Sequence, residues 1–266
     1  MKFARLLIIS LILIAGTAHA LQIPKNSVAL NDIIGVVEKP FQYAGSGRPQ
    51  IENVRADFFQ RSTIAAKKKE YRAEGEMYLQ SASSLEPLKF RFDYFRPTRQ
   101  EVVCNGKMLW VYLPENRQVI QSDVAEFFDP MRTGPGRRGI NFLQGLGRIS
   151  KDFTILFNNP MNDAAGNYIL ELTPMRSSAT IRKLYITVNR ESLLDAKGTR
   201  PQTNMPPARP PESHLFAILS TTVVDHDGNS TTMEFSNIRT NGMLSDMLFN
   251  FMPPPDAQVV RPPAGR

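Results

Sequence analysis

Leu88-Lys89-Phe90-Arg91-Phe92-Asp93-Tyr94-Phe95 is the stretch that decides the fold. Side chains alternate across a β-strand, so Phe90, Phe92 and Tyr94 share one face and Lys89, Arg91 and Asp93 share the other. The stretch predicts a strand with one greasy face and one wet face. Working outward, the same period of two runs through residues 55–62, 71–80, 100–104, 107–113 and 118–122, and again through 153–157, 168–172, 181–188, 215–224 and 231–238. Asn105-Gly106 is a strong hairpin signal, and 114–117 and Asp227-Gly228 make further turns. About eleven consecutive antiparallel strands make one large, strongly curved sheet. Its greasy face carries Met77 and Leu79, Phe90, Phe92 and Tyr94, Leu184 and Ile186, and Met233 and Phe235.

Few helices accompany this sheet. Leu30, Ile33, Ile34, Val37 and Phe41 recur at helical spacing and predict one amphipathic helix over 29–41. The two-residue rhythm breaks between 123 and 149. There Asp123 suits the cap of a short helix carrying Val124, Phe127 and Phe128, 130–139 reads as a loop, and 140–146 as a second short helix. Two readings of the greasy face stay open. Its residues form the core of a closed barrel or sandwich, or they border a cavity for an apolar ligand under a lid built from Ile33, Ile34, Val37, Phe127 and Phe128.

The 266 residues, 42% of them hydrophobic and 21% charged, are globular in composition and suit a single all-β-dominated domain. Lys2 and Arg5, the apolar run 6–14 and Ala18-His19-Ala20 read as a signal peptide over 1–20, leaving a domain from 21 to 266. No cysteine stands near that cleavage site, so the reading is of an exported chain that stays free of the membrane, as a monomer in the periplasm. Cleavage takes the basic count from 32 to 30 against 25 acids, a net charge of +5 that suits anionic or acidic surfaces. Nucleic acid is not an expected partner of an exported protein. The segment 200–211, with five prolines, reads as an extended surface loop.

Enzyme chemistry is hard to build here, and neither a metal nor another cofactor is expected. A single cysteine, Cys104, excludes an internal disulfide, and only His214 and His226 lie beyond the signal region. Asp225-His226-Asp227-Gly228 reads as a hairpin turn, with its glycine misplaced for a calcium loop. Residues 134–139 match G-x-G-x-x-G but follow no buried strand.

Several stretches resemble the LolA family, the periplasmic carriers of outer-membrane lipoproteins. They are 75–79 (GEMYL), 87–92 (PLKFRF), 105–112 (NGKMLWVY), 168–174 (YILELTP) and 249–254 (FNFMPP), in the order expected over roughly 30–260. The resemblance implies an incomplete β-barrel closed by a lid of short helices. It implies that acyl chains of lipoproteins are received from an inner-membrane ATP-driven transporter and passed to an outer-membrane acceptor. It adds Trp110 and Tyr112, otherwise read as core strand residues, to the chamber lining. Where relatives often have an arginine tying lid to barrel, this chain has Glu86, and Asp256 replaces a usual glycine. Alternatives from other classes are an envelope-stress sensor or scaffold of related fold, and a periplasmic shuttle for another lipid.

Overall fold

The computed structural model describes residues 28–43, 45, 47–124, 141–198 and 214–261, the side chains of 141–144 excepted. The expected signal peptide, Phe127, Phe128 and the proline-rich loop lie outside the described residues.

The chain enters through α1 (Leu30–Glu38) and a 3₁₀ turn (Lys39–Phe41), burying Ile33 and Val37 one helical turn apart. The sheet begins with two long strands, β1 (Asn53–Ile64) and β2 (Lys69–Gln80), followed by β3 (Lys89–Arg96), β4 (Gln100–Cys104), β5 (Met108–Leu113) and β6 (Gln118–Asp123). A 3₁₀ stretch (Asn141–Arg148) and a single turn of α-helix, α2 (Ile149–Asp152), lead into β7 (Phe153–Asn162), β8 (Tyr168–Pro174) and β9 (Lys183–Val188). Helix α3 (Arg190–Ala196) precedes β10 (Ile218–Val224) and β11 (Ser230–Thr240), and the short β12 (Gln258–Val260) closes the described chain.

Among the described residues twelve strands make one sheet in the order β12-β6-β5-β4-β3-β2-β1-β11-β10-β9-β8-β7. Strands β7 and β12 are its two ends and do not pair, so the barrel is incomplete and the closed-barrel reading does not hold. The sequence reading of about eleven antiparallel strands is corrected by β12, which pairs with β6 in parallel, Gln258 opposite Gln118.

Two glycines are sterically required. A Cβ on Gly75 would lie 1.9 Å from the Asp93 carbonyl oxygen and 2.8 Å from the Phe58 ring, where β2 and β3 shift register. Gly106 sits at φ +89° with Pro87 so close that a Cβ would fall 2.3 Å from it, as the hairpin signal requires. Asn105 seals that turn by accepting bonds from Lys107 N and Met108 N. The Asp225 turn forms in the same way, its carboxylate accepting from Asp227 N and from Asn229.

The helical pieces lie together on one face of the sheet, α1 packing on α3, on the 141–148 stretch and on α2. The expected helix over 140–146 is a 3₁₀ stretch because Gly145 and Gly147 weaken an α-helix there. Helix α3 was not expected. Asn189 caps it by accepting from Glu191 N at 3.0 Å, and Leu193 is its buried contact. Among the described residues no helix is long and apolar enough to cross a membrane.

Candidate functional site

Strand register assembles the concave face. Met77 stands opposite Phe92 and Leu79 opposite Phe90, Phe58 links Gly75 to Phe235 across β1, and Thr221 of β10 lies between Met233 and Ile186. Leu184 continues the face toward Leu172 on β8. The rings interlock edge to face, Phe58 lying 5.5 Å from Phe92 and 4.9 Å from Tyr94 between centroids. Tyr94 ends the apolar row with a polar handle, its hydroxyl donating to Gln60 Oε1 at 2.9 Å. Burial pushes its pKa well above the ordinary phenol value.

This face is covered except at Tyr94, which is partly buried at its edge. Met77, Leu79, Phe90, Phe92, Leu184, Ile186 and Met233 are 0% exposed and Phe235 is 4% exposed. Ile33 and Val37 of α1 are buried in the same cluster, and Ile34 packs half-buried against it. In this arrangement the expected ligand face is packed as a core. A groove of about 360 Å³ opens elsewhere, at the rim, lined by Phe41, Gln42, Tyr43, Ser81, Ala82, Leu88 and residues 146–148 of the 3₁₀ stretch.

Trp110 and Tyr112 are corrected: they stand on the convex face. The Asn105–Gly106 turn pairs Cys104 with Leu109, which turns Leu109 inward and Trp110 outward, opposite Val103. Phe251 covers both rings there, at 6.0 Å from Trp110 and 5.8 Å from Tyr112. Ring size suggested a chamber wall, but strand parity decides the face. Cys104 itself is a buried strand residue, its thiol pushed up to about 11 by burial.

The convex face is otherwise a web of charge. Arg91 binds Asp93 at 2.8 Å and Glu101 at 2.7 Å, and donates to the Leu248 carbonyl at 3.3 Å, so it ties the C-terminal strap of 241–261 to β3. Glu86 belongs to this side. It is an exposed residue whose carboxylate pairs with Lys89 at 2.9 Å, and Lys89 also meets Asp246 of the strap at 3.5 Å.

Polar links within the cover run from helix to helix. Glu38, 7% exposed, accepts from Ser150 N, Gln42 Nε2 donates to the Gly147 carbonyl at 3.0 Å, and Lys197 pairs with Asp32 at 2.6 Å. Asp195 of α3 pairs with the buried His214. None of these pairings is legible in the sequence, although His214 stands out there as one of two histidines beyond the signal region. Asp32 and Lys197 carry charges of opposite sign but lie too far apart in the chain for spacing to join them.

Fold and face define a class: an open, mostly antiparallel half-barrel whose apolar concave side lies under short helices. The family model described as outer membrane lipoprotein carrier protein LolA matches residues 49–203. The outer-membrane lipoprotein carrier protein of Methylococcus capsulatus is 24% identical over 206 residues, 77% of this chain and 80% of that protein. The protein of the same name from Methylobacillus flagellatus is 27% identical over 207 residues, 78% of this chain and 82% of its own. A crystal structure of a LolA superfamily protein from Nitrosomonas europaea aligns at TM-score 0.39 and 16% identity over 82% of this chain and 96% of that one. The matched model spans more than half of the 266 residues, and the chain belongs to the LolA family.

Proposed function

We propose that this chain is a periplasmic carrier that binds the acyl chains of lipoproteins against the concave face and moves them from the inner to the outer membrane. In this reading residues 1–20 are a signal peptide and 21–266 a single domain. An inner-membrane ATP-driven transporter delivers the cargo and an outer-membrane acceptor takes it. The reading is supported above all by the wide apolar face lying under short helices. Each buried CH₂ contributes about 0.8 kcal/mol, so one long acyl chain in water costs on the order of 10 kcal/mol and needs a cover in transit. Methionines such as Met77 and Met233 adapt to differing chains, and a lid resting on packing yields its cargo where an acceptor binds it better. Neither step needs a catalytic group.

Site-specific photo-crosslinkers test the assignment of faces. Crosslinkers at Phe90 and Phe92 are expected to capture lipoprotein, and crosslinkers at Lys89 and Trp110 on the convex side are not. Equal capture from both faces overturns the reading.

A further inference from the structure

The rim groove joins the concave face directly. Ser81, just past the end of β2, continues the parity of inward-facing Met77 and Leu79, and Leu88, just before β3, that of Phe90 and Phe92. Leu79 and Phe90, the next residues inward on each row, are register partners. Its other wall is the cover, Phe41 at the end of the 3₁₀ turn with Gln42 and Tyr43 after it, and Leu146 from the second helical stretch. So the groove lies on the seam between lid and sheet, with its floor running into the buried face.

Ser81 is the unusual group in this groove. It is 5% exposed, and its Oγ finds no hydrogen-bond partner among the described residues, although its backbone nitrogen is bonded to the Glu52 carbonyl. A buried hydroxyl without a partner is costly, and once the cover over it lifts it is a donor for an acceptor brought by a ligand. Arg148, the groove's charged residue, is already engaged by Asp152 at 3.1 Å, so the groove favours a neutral polar group. Its size, about 360 Å³, is that of a small-ligand site and suits part of one chain rather than a whole diacyl lipid.

We propose that this groove is the port through which a single acyl chain of the cargo enters, with the Ser81 hydroxyl donating a hydrogen bond to the ester carbonyl at the head of that chain. The proposal rests on the carrier reading and adds the point of entry and the chemical feature recognised there. The chain slides past Leu88 toward Leu79 and Phe90, lifting Phe41 and Leu146 as it goes. The ester stays at the rim, where Ser81 holds it.

The probes are monopalmitoylglycerol and its hexadecyl ether analogue, which lacks the carbonyl, each titrated below micelle formation into the full chain. The unaltered chain is expected to bind the ester about fivefold to tenfold more tightly than the ether. Ser81→Ala is expected to abolish that preference, and Ser81→Thr to restore most of it. Ala82→Trp, which fills the groove, is expected to weaken both probes at least tenfold. An ester preference that survives Ser81→Ala, or full binding by Ala82→Trp, overturns the proposal. Failure of the unaltered chain to bind either probe, while Phe90 crosslinkers still capture lipoprotein, overturns the port and leaves the carrier. If ester preference follows Ser81 but Phe90 captures no lipoprotein, the groove is upheld and the carrier reading falls.

Discussion

Glu38, the last residue of α1, accepts a hydrogen bond at 2.5 Å from the backbone nitrogen of Ser150 in α2, joining two parts of the cover that are 112 residues apart in the chain. Removing a buried acceptor strands its donor, so Glu38→Ala is expected to lower stability by about 2 kcal/mol and Glu38→Gln, which keeps an acceptor, by less. Hydrogen exchange checks the location. Amides of 30–41 and 146–152 should lose protection while those of β3 keep theirs, and unchanged exchange in the helices would count against the link.

The strap across the convex face depends on Phe251, which covers Trp110 and Tyr112, and on buried Phe249. Phe251→Ala is expected to open residues 244–260 to limited proteolysis while the half-barrel core remains intact. Trp110→Ala should do the same. Capture of lipoprotein by a crosslinker at Phe90 should survive both changes, and its loss would return Trp110 to the ligand face.

Glu86 is an exposed partner of Lys89, and exposed ion pairs contribute only ~0–1 kcal/mol. Glu86→Ala is therefore expected to leave lipoprotein binding and transfer nearly unchanged. Ile34→Asp places a charge against the apolar cluster under α1 and is expected to loosen the lid, read as increased binding of a hydrophobic dye. A stalled transfer in Glu86→Ala would show a polar latch of reversed sign in place of packing.

Glu76 and Tyr78 set opposite pH limbs. The Tyr78 hydroxyl and then Arg55 hold the Glu76 carboxyl below its ordinary 4.5, so its contribution is present above that value and lost as pH falls further. Burial first, then the Glu76 bond, pushes Tyr78 up to about 12 from 10, so its contribution is full below pH 10 and lost as pH rises toward 12. Denaturation curves across pH should show Glu76→Gln flattening the acid limb and Tyr78→Phe the alkaline one. A steeper alkaline limb in Tyr78→Phe would refute the assignment.

Period-two alternation made most of the sheet legible, since Phe90 and Phe92 against Arg91 and Asp93 settle which side chains share the apolar face. It failed at β5, where Met108-Leu109-Trp110-Val111-Tyr112 is apolar on both faces because the strap covers the outer one. Counting from the Asn105–Gly106 turn would have settled the parity. Strand β12 has three residues, too few for a period, and it is placed by its pairing with β6. Helix α3 was hidden by its short length, although Asn189 followed by Glu191 is a start signal. Unpaired Ser81 carries no local signature at all, because what singles it out is the missing partner in three dimensions.

Strands β7 and β12 share no ladder, and this makes the interior compliant. A closed ring fixes its bore by strand number and shear. Here the sheet can flatten or curl without losing one interstrand bond, each worth about 1 kcal/mol. What resists swelling is dispersion, ~0.1–0.2 kcal/mol for each atom pair drawn apart, and under the carrier reading the methylenes of a cargo would replace those contacts. Under the carrier reading capacity would then scale with the load, and cargoes with different numbers of acyl chains would fit one unaltered strand order.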